Sequence, residues 1–186
     1  MIRFILASLC LLGAPVLAFA YHYSPSSYLY TVKTPMVKHS VNYNVLTYST
    51  PLHSLDANAL VEPLDINDLG YVDVHMASGP DQSAYAHLIT KSGKTTKFKN
   101  QDANSFFLKG KLSSIKENEY EISYGLERLT LPIELSRQLA AAHESPLKAV
   151  WHVRSNGEVR VAGFEIDGVF RPYQFSRKDV LLGLTQ

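Results

Sequence analysis

The chain has 186 residues, 18 Lys and Arg against 17 Asp and Glu, 46% apolar residues and one Cys. This length fits one domain with at most an arm. A net charge of +1 excludes an electrostatic nucleic-acid binder, which needs a basic excess. The apolar content excludes an intrinsically disordered chain.

The chain opens Met1-Ile2-Arg3, runs apolar from Phe4 to Ala18 and reaches Ala18-Phe19-Ala20. A positive start, a short apolar run and small residues at the last and third-last positions are the layout of a secretory signal cut after Ala20. The expected location is the periplasm or the exterior. The alternative is an uncleaved anchor that holds the protein at the inner membrane, facing the periplasm. Gly13 and Pro15 interrupt the run, which makes it short for a ~30 Å hydrocarbon core. Cleavage removes Arg3 and Cys10 and leaves equal numbers of basic and acidic residues. A thiol-free body has no disulfide-linked partner, no cysteine nucleophile and no thiolate metal site.

Residues 21–40 read as an extended arm, rich in tyrosine at Tyr21, Tyr23, Tyr28 and Tyr30 and broken by Ser24-Pro25-Ser26-Ser27. Such an arm packs on its own domain or docks a partner, because a tyrosine ring lies on a surface with its hydroxyl in water. From residue 41 the pattern is mostly strands. Val41 to Tyr48 reads as one strand and Leu69 to Met76 as another. Ala84–Thr90 and Lys94–Phe98 flank Lys91-Ser92-Gly93, a hairpin loop. Phe106–Leu112 and Tyr120–Tyr124 follow, the latter with Tyr120, Ile122 and Tyr124 on one face.

One helix opens at Leu131-Pro132, with Pro at the first helical position and Glu134 in the first turn, where it suits the helix dipole. Leu135, Gln138, Leu139 and Ala142 form its stripe, and it ends near His143. A stripe this narrow suits a helix lying across a sheet or barrel mouth. In the hairpin from Leu147 to Ile166, a two-residue Asn156-Gly157 turn would mix faces. A three-residue loop, Ser155-Asn156-Gly157, pairs Val153 with Val159 and Trp151 with Val161, and keeps all four on one face. Trp151 is then a core anchor. Val169-Phe170 and Val180-Leu181-Leu182 suggest a last short element.

The expected fold is mainly β (α+β): an antiparallel sheet or partly closed barrel with one short helix before a C-terminal hairpin. The expected segments are a signal at 1–20, the arm at 21–40, the β-rich domain at 41–168 and a tail at 169–186.

No G-x-S-x-G, H-E-x-x-H, P-loop or dinucleotide glycine pattern occurs. No two of the seven histidines stand at i, i+4 on the expected helix. His75-Met76 would be a soft copper pair, but adjacent strand residues face opposite sides. No metal and no cofactor are expected. Asp65, Asp68 and Asp73 flank Gly70. Acid–base work needs two carboxylates converging on a cleft with separated pKa values; as turn formers, Asp65 and Asp68 bond local N–H groups instead. Glu127-Arg128 either forms a binding fork or ties the following helix to the sheet. Lys91, Lys94, Lys97, Lys99, Lys109 and Lys111 read as protection of edge strands, or as a site for an anionic envelope ligand.

Tyr124-Gly125-Leu126-Glu127-Arg128-Leu129, Leu131-Pro132-Ile133-Glu134 and Val150 to Val159, ending at Gly163-Phe164, resemble the GDYXXLXY family of bacterial envelope proteins. Upstream, Leu64 to Val74 is similar to the stretch that names the family. Here the Asp between Gly70 and Tyr71 is missing, Val74 replaces Leu and Met76 replaces the last Tyr. The similarity covers residues 48–168. It implies an exported or anchored domain without established activity, often found beside multi-spanning membrane proteins. The binding candidates are Asp68, Tyr71, Glu127 and Arg128. The expected function is a non-catalytic exported accessory or binding module acting with a membrane-protein partner in the envelope. The alternatives are a small carboxylate-dependent hydrolase and a secreted surface or effector protein.

Overall fold

The computed structural model describes residues 28–60, 64, 69–78, 84–93, 106–116, 118–142 and 146–184. The signal segment, residues 21–27, Asp65, Asp68 and the expected Lys94–Phe98 strand lie outside the described residues.

The strands in chain order are β1 (Tyr28–Pro35), β2 (Lys38–Asn42), β3 (Val45–Ser49), β4 (Ser54–Asp56), β5 (Gly70–Ser78) and β6 (Ala84–Lys91). They continue with β7 (Phe106–Lys116), β8 (Glu119–Ser123), β9 (Arg128–Thr130), β10 (Leu147–Arg154), β11 (Val159–Ile166) and β12 (Val169–Pro172). Helix α1 (Ile133–Ala141) lies before the β10–β11 hairpin, and α2 (Arg177–Leu181) follows β12. Three antiparallel sheets result, with orders β1-β10-β11-β12, β2-β3-β9 and β4-β8-β7-β5-β6. Among the described residues the fold is mainly β, and its sheets do not close into a barrel. The last short element expected around Val180-Leu181-Leu182 is helix α2, which begins at Arg177.

The β10–β11 hairpin takes the register that its hydrophobic pattern dictates. Val153 pairs with Val159, and Trp151 with Val161. Gly157 sits at φ +81°, in the left-handed region that a three-residue loop requires. A register shift between Val150 and Trp151 adds a bulge that the pattern did not reveal. It lets Val150 and Trp151 both be buried, at 2% and 0% exposure.

Trp151 marks the meeting of the three sheets. Its indole N–H donates to the Tyr48 hydroxyl on β3 at 3.1 Å, and its ring lies 5.5 Å from that of Tyr124, which follows β8. Tyr124 in turn donates its hydroxyl to the Leu52 carbonyl at 3.1 Å. The first and third sheets also join at their ends. Lys109 N–H on β7 donates to the Gly157 carbonyl at 2.9 Å, and the Tyr30 and Phe106 rings stack at 4.7 Å.

The expected single strand from Val41 to Tyr48 is two strands, β2 and β3, turning at Tyr43-Asn44. Tyr43 has φ +54° and its side chain is 92% exposed. Tertiary bonds hold this turn: Ser136 of α1 donates its hydroxyl to the Tyr43 carbonyl at 2.7 Å, and Leu131 N–H donates to the Asn44 carbonyl at 2.6 Å. Helix α1 buries Leu135 and Leu139 as expected, and also Ser136. Pro132, at φ −55° and ψ 144°, is the residue before the helix rather than its first member. Lys109 and Lys111 stand on β7, between β8 and β5, so their charge guards no sheet edge.

Within the arm region, Tyr28–Pro35 is strand β1, paired along β10 at the edge of the first sheet, and Lys38 begins β2 of the second. Lys33 on β1 and Lys148 on β10 both reach the Glu165 carboxylate on β11, at 2.7 and 3.3 Å. This ionic row crosses three strands of the first sheet.

Candidate functional site

Strand β5 is the internal strand that positions the site. Its pleat sends Val72, Val74 and Met76 into the core, each at 0% exposure, and leaves Tyr71, Asp73 and His75 on the opposite face. Across the β5–β7 ladder, Tyr71 is opposite Lys111, Asp73 opposite Lys109 and His75 opposite Phe107. On the β6 side, Asp73 is opposite Thr90. His75 Nε2 lies 3.1 Å from Thr90 Oγ1, and its ring is 6.0 Å from that of Phe107.

A register shift between His75 and Met76 leaves His87 without a partner position of its own. Bulges of this kind re-aim side chains and break the regular ladder. Two polar atoms here, Asp73 Oδ1 and His87 Nδ1, are buried without a hydrogen-bond partner. Such atoms are uncommon in folded proteins, and each costs about 1–3 kcal/mol in lost solvation. Burial pushes the His75 imidazole below its usual pKa, Asp73 opposes that shift, and His87 adds to it. His75 is therefore neutral near pH 7, with one ring nitrogen donating and one accepting.

Large exposed side chains rim this face. Tyr71 is 75% exposed at one end of β5, and Tyr85, opposite Ala77 near the other end, is 52% exposed. Lys109 and Lys111 are exposed beside them. The arrangement offers a buried acceptor at Asp73, a neutral imidazole and two cations within one aromatic-edged surface. Among the described residues, no three His, Cys, Asp or Glu side chains gather in a way that could hold a metal ion.

Of the sequence candidates, Tyr71 belongs to this face and Asp68 lies outside the described residues. Glu127 and Arg128 belong to the second sheet and the loop before it. The Glu127 carboxylate accepts the Tyr124 N–H at 2.6 Å and lies 3.4 Å from His53 Nε2. Its carbonyl accepts the Tyr48 N–H at 3.0 Å. Arg128 is exposed on β9, opposite Thr47. Glu127 is thus committed to the turn between β8 and β9, and it binds that turn to β3 rather than to the helix that follows.

His53 is held just as firmly. Its Nδ1 accepts the Thr50 N–H at 3.0 Å, which fixes the proton on Nε2, and burial pushes the imidazole down against the pull of Glu127. His87 and Thr90 were not among the sequence candidates. The strand that carries them was legible, but the bulge at His87 has no signature in residue type.

No protein-family model, curated protein or solved structure matches the chain.

Proposed function

We propose that the protein is an exported, non-catalytic binding module that works with a partner in the cell envelope, and that the partner occupies the outward face of β5. One observation carries this reading: the partnerless buried atoms of Asp73 and His87 lie on the strands that present the exposed rings of Tyr71 and Tyr85. A partner that donates a hydrogen bond to Asp73 Oδ1 recovers the cost of that burial, and the tyrosine rings supply contact area at small entropic cost. The export-type N-terminus and the resemblance to GDYXXLXY proteins point to an envelope membrane protein as that partner.

The test is site-specific photo-crosslinking in intact cells. A photoreactive phenylalanine in place of Tyr71 is expected to give one discrete heavier species. The same probe at Tyr43, more open still but at the turn of the second sheet, is expected to give none. Identical patterns at the two positions, or no species at Tyr71, would overturn the reading.

A further inference from the structure

The last stretch of the chain has a surface that the β5 face does not explain. Val169 to Leu184 carries Arg171, Arg177 and Lys178 against a single acid, Asp179. Asp179 is 5% exposed and spends its carboxylate on the N–H groups of Ile133 and Ser176, at 2.9 and 2.8 Å. The whole chain carries only +1, and this stretch alone contributes +2, three cations less one acid. Among the described residues, Arg171, Arg177 and Lys178 have no ion-pair partner. Arg171 and Lys178 line a cleft of about 390 Å³ between α1, β12 and α2. Arg137 and Glu134 also line that cleft and pair with each other at 3.8 Å.

Apolar side chains stand beside these cations. Val180, Leu181 and Leu182 are 54%, 78% and 61% exposed, and Val169 and Phe170 on the edge strand β12 are about half exposed, at 50% and 48%. This exposure is imposed by the fold. The Asp179 bond to Ile133 clamps α2 against α1, so the helix cannot roll its aliphatic side chains inward without breaking that clamp.

From this we infer that the β12–α2 surface docks on an anionic lipid surface, with Arg171, Arg177 and Lys178 on headgroup phosphates and Val180, Leu181 and Leu182 at the acyl boundary. Aliphatic side chains flanked by unpaired cations match the two attractions a membrane interface offers, apolar burial and negative surface potential. A second copy of this chain fits worse, because like-charged faces would be brought together.

The full chain carrying Leu181→Trp tests this locally. Trp151 is fully buried, so acyl-chain bromines can quench only the introduced indole. Brominated phosphatidylcholine–phosphatidylglycerol vesicles are expected to quench it by about half or more. Brominated phosphatidylcholine alone is expected to quench it little. Adding Arg177→Glu and Lys178→Glu should abolish the quenching. Raised salt, which leaves the fold intact, should weaken it in parallel. Equal quenching by both lipids, or none by either, overturns the proposal. So does a blue shift that depends on protein concentration without lipid, which would identify a second copy as the occupant.

Discussion

Asp179 of α2 accepts the backbone N–H of Ile133, the first residue of α1, at 2.9 Å. The same carboxylate takes the Ser176 N–H and hydroxyl at 2.8 and 2.5 Å, which caps its own helix. One side chain therefore closes two helix starts, and it does for α1 what Pro132 cannot, since proline has no side-chain acceptor. The Ile133 N–H, followed by the Ser176 bonds, holds the Asp179 carboxyl below the usual carboxylate range. A depressed folded-state value means that this stabilisation is present above the unfolded-state pKa, near 3.8, and is lost as pH falls through the folded value. Asp179→Ala is expected to lower the melting temperature by several degrees at neutral pH. The loss should shrink as pH falls through the folded value, where the wild-type carboxyl is itself protonated. Thermal melts of both proteins across that range check this, and a loss that is constant with pH would contradict it.

The Tyr48–Trp151 bond sets a second expectation. Burial raises the Tyr48 pKa far beyond its ordinary value, so the phenol stays neutral and available to the indole at any working pH. Tyr48→Phe keeps the ring and leaves the buried indole N–H unpaired, at a cost of about 1–3 kcal/mol. Trp151→Ala empties the junction of the three sheets and is expected to cost about 3–5 kcal/mol. Urea titration followed by far-ultraviolet circular dichroism measures both. The sole tryptophan adds a local signal for Tyr48→Phe, whose emission should report a changed indole environment before any unfolding.

Two partly buried imidazoles give the protein an acid sensitivity above the carboxylate window. Burial lowers the pKa of both His53 and His75. Asp73 and His87 face His75 as charged or titratable neighbours, and Glu127 faces His53. For a histidine with a depressed folded value, the unfolded chain takes up a proton first. Stability therefore falls as pH drops below the unfolded value near 6.5, and levels off once pH is below the folded value. The stability of the wild type should decline as pH drops below about 6.5. His75→Gln should flatten part of that decline. An unchanged slope in the variant would mean that His75 titrates alike in both states.

Much of this fold could be read from local pattern. The Trp151–Val161 register followed from the alternation of four side chains around Gly157, and the two faces of β8 from the spacing of Tyr120 and Ile122. What escaped was set by contacts distant in sequence. The turn at Tyr43-Asn44 carries no glycine and is held by Ser136 and Leu131, some 90 residues away. The α1 cap comes from Asp179, 46 residues beyond Ile133. At the candidate site, Tyr71 was legible as a motif residue. Asp73 was noted only as one of three acids near Gly70, and His87 could not be placed, because a bulge opposite His75 depends on how β5 and β6 pair.

Gly157 gives the most direct test of how the sheets are joined. It sits at φ +81°, and a Cβ there would strike the Phe107 ring and come 3.1 Å from Lys109 Cγ. Gly168 has nearly the same φ, +77°, with nothing within 4 Å of a Cβ. Both Gly→Ala changes incur the left-handed penalty of about 1–2 kcal/mol. Only Gly157→Ala adds overpacking, worth about 1–3 kcal/mol more. The difference between the two variants in urea titration therefore isolates the contact of the hairpin tip with β7. Phe107→Ala in the Gly157→Ala background should recover part of the loss, since the two sites share one contact. Phe107 also stands opposite His75, so Gly157→Ala should disturb crosslinking from Tyr71 where Gly168→Ala does not. Equal stabilities for the two glycine variants would mean that the hairpin tip does not press on β7.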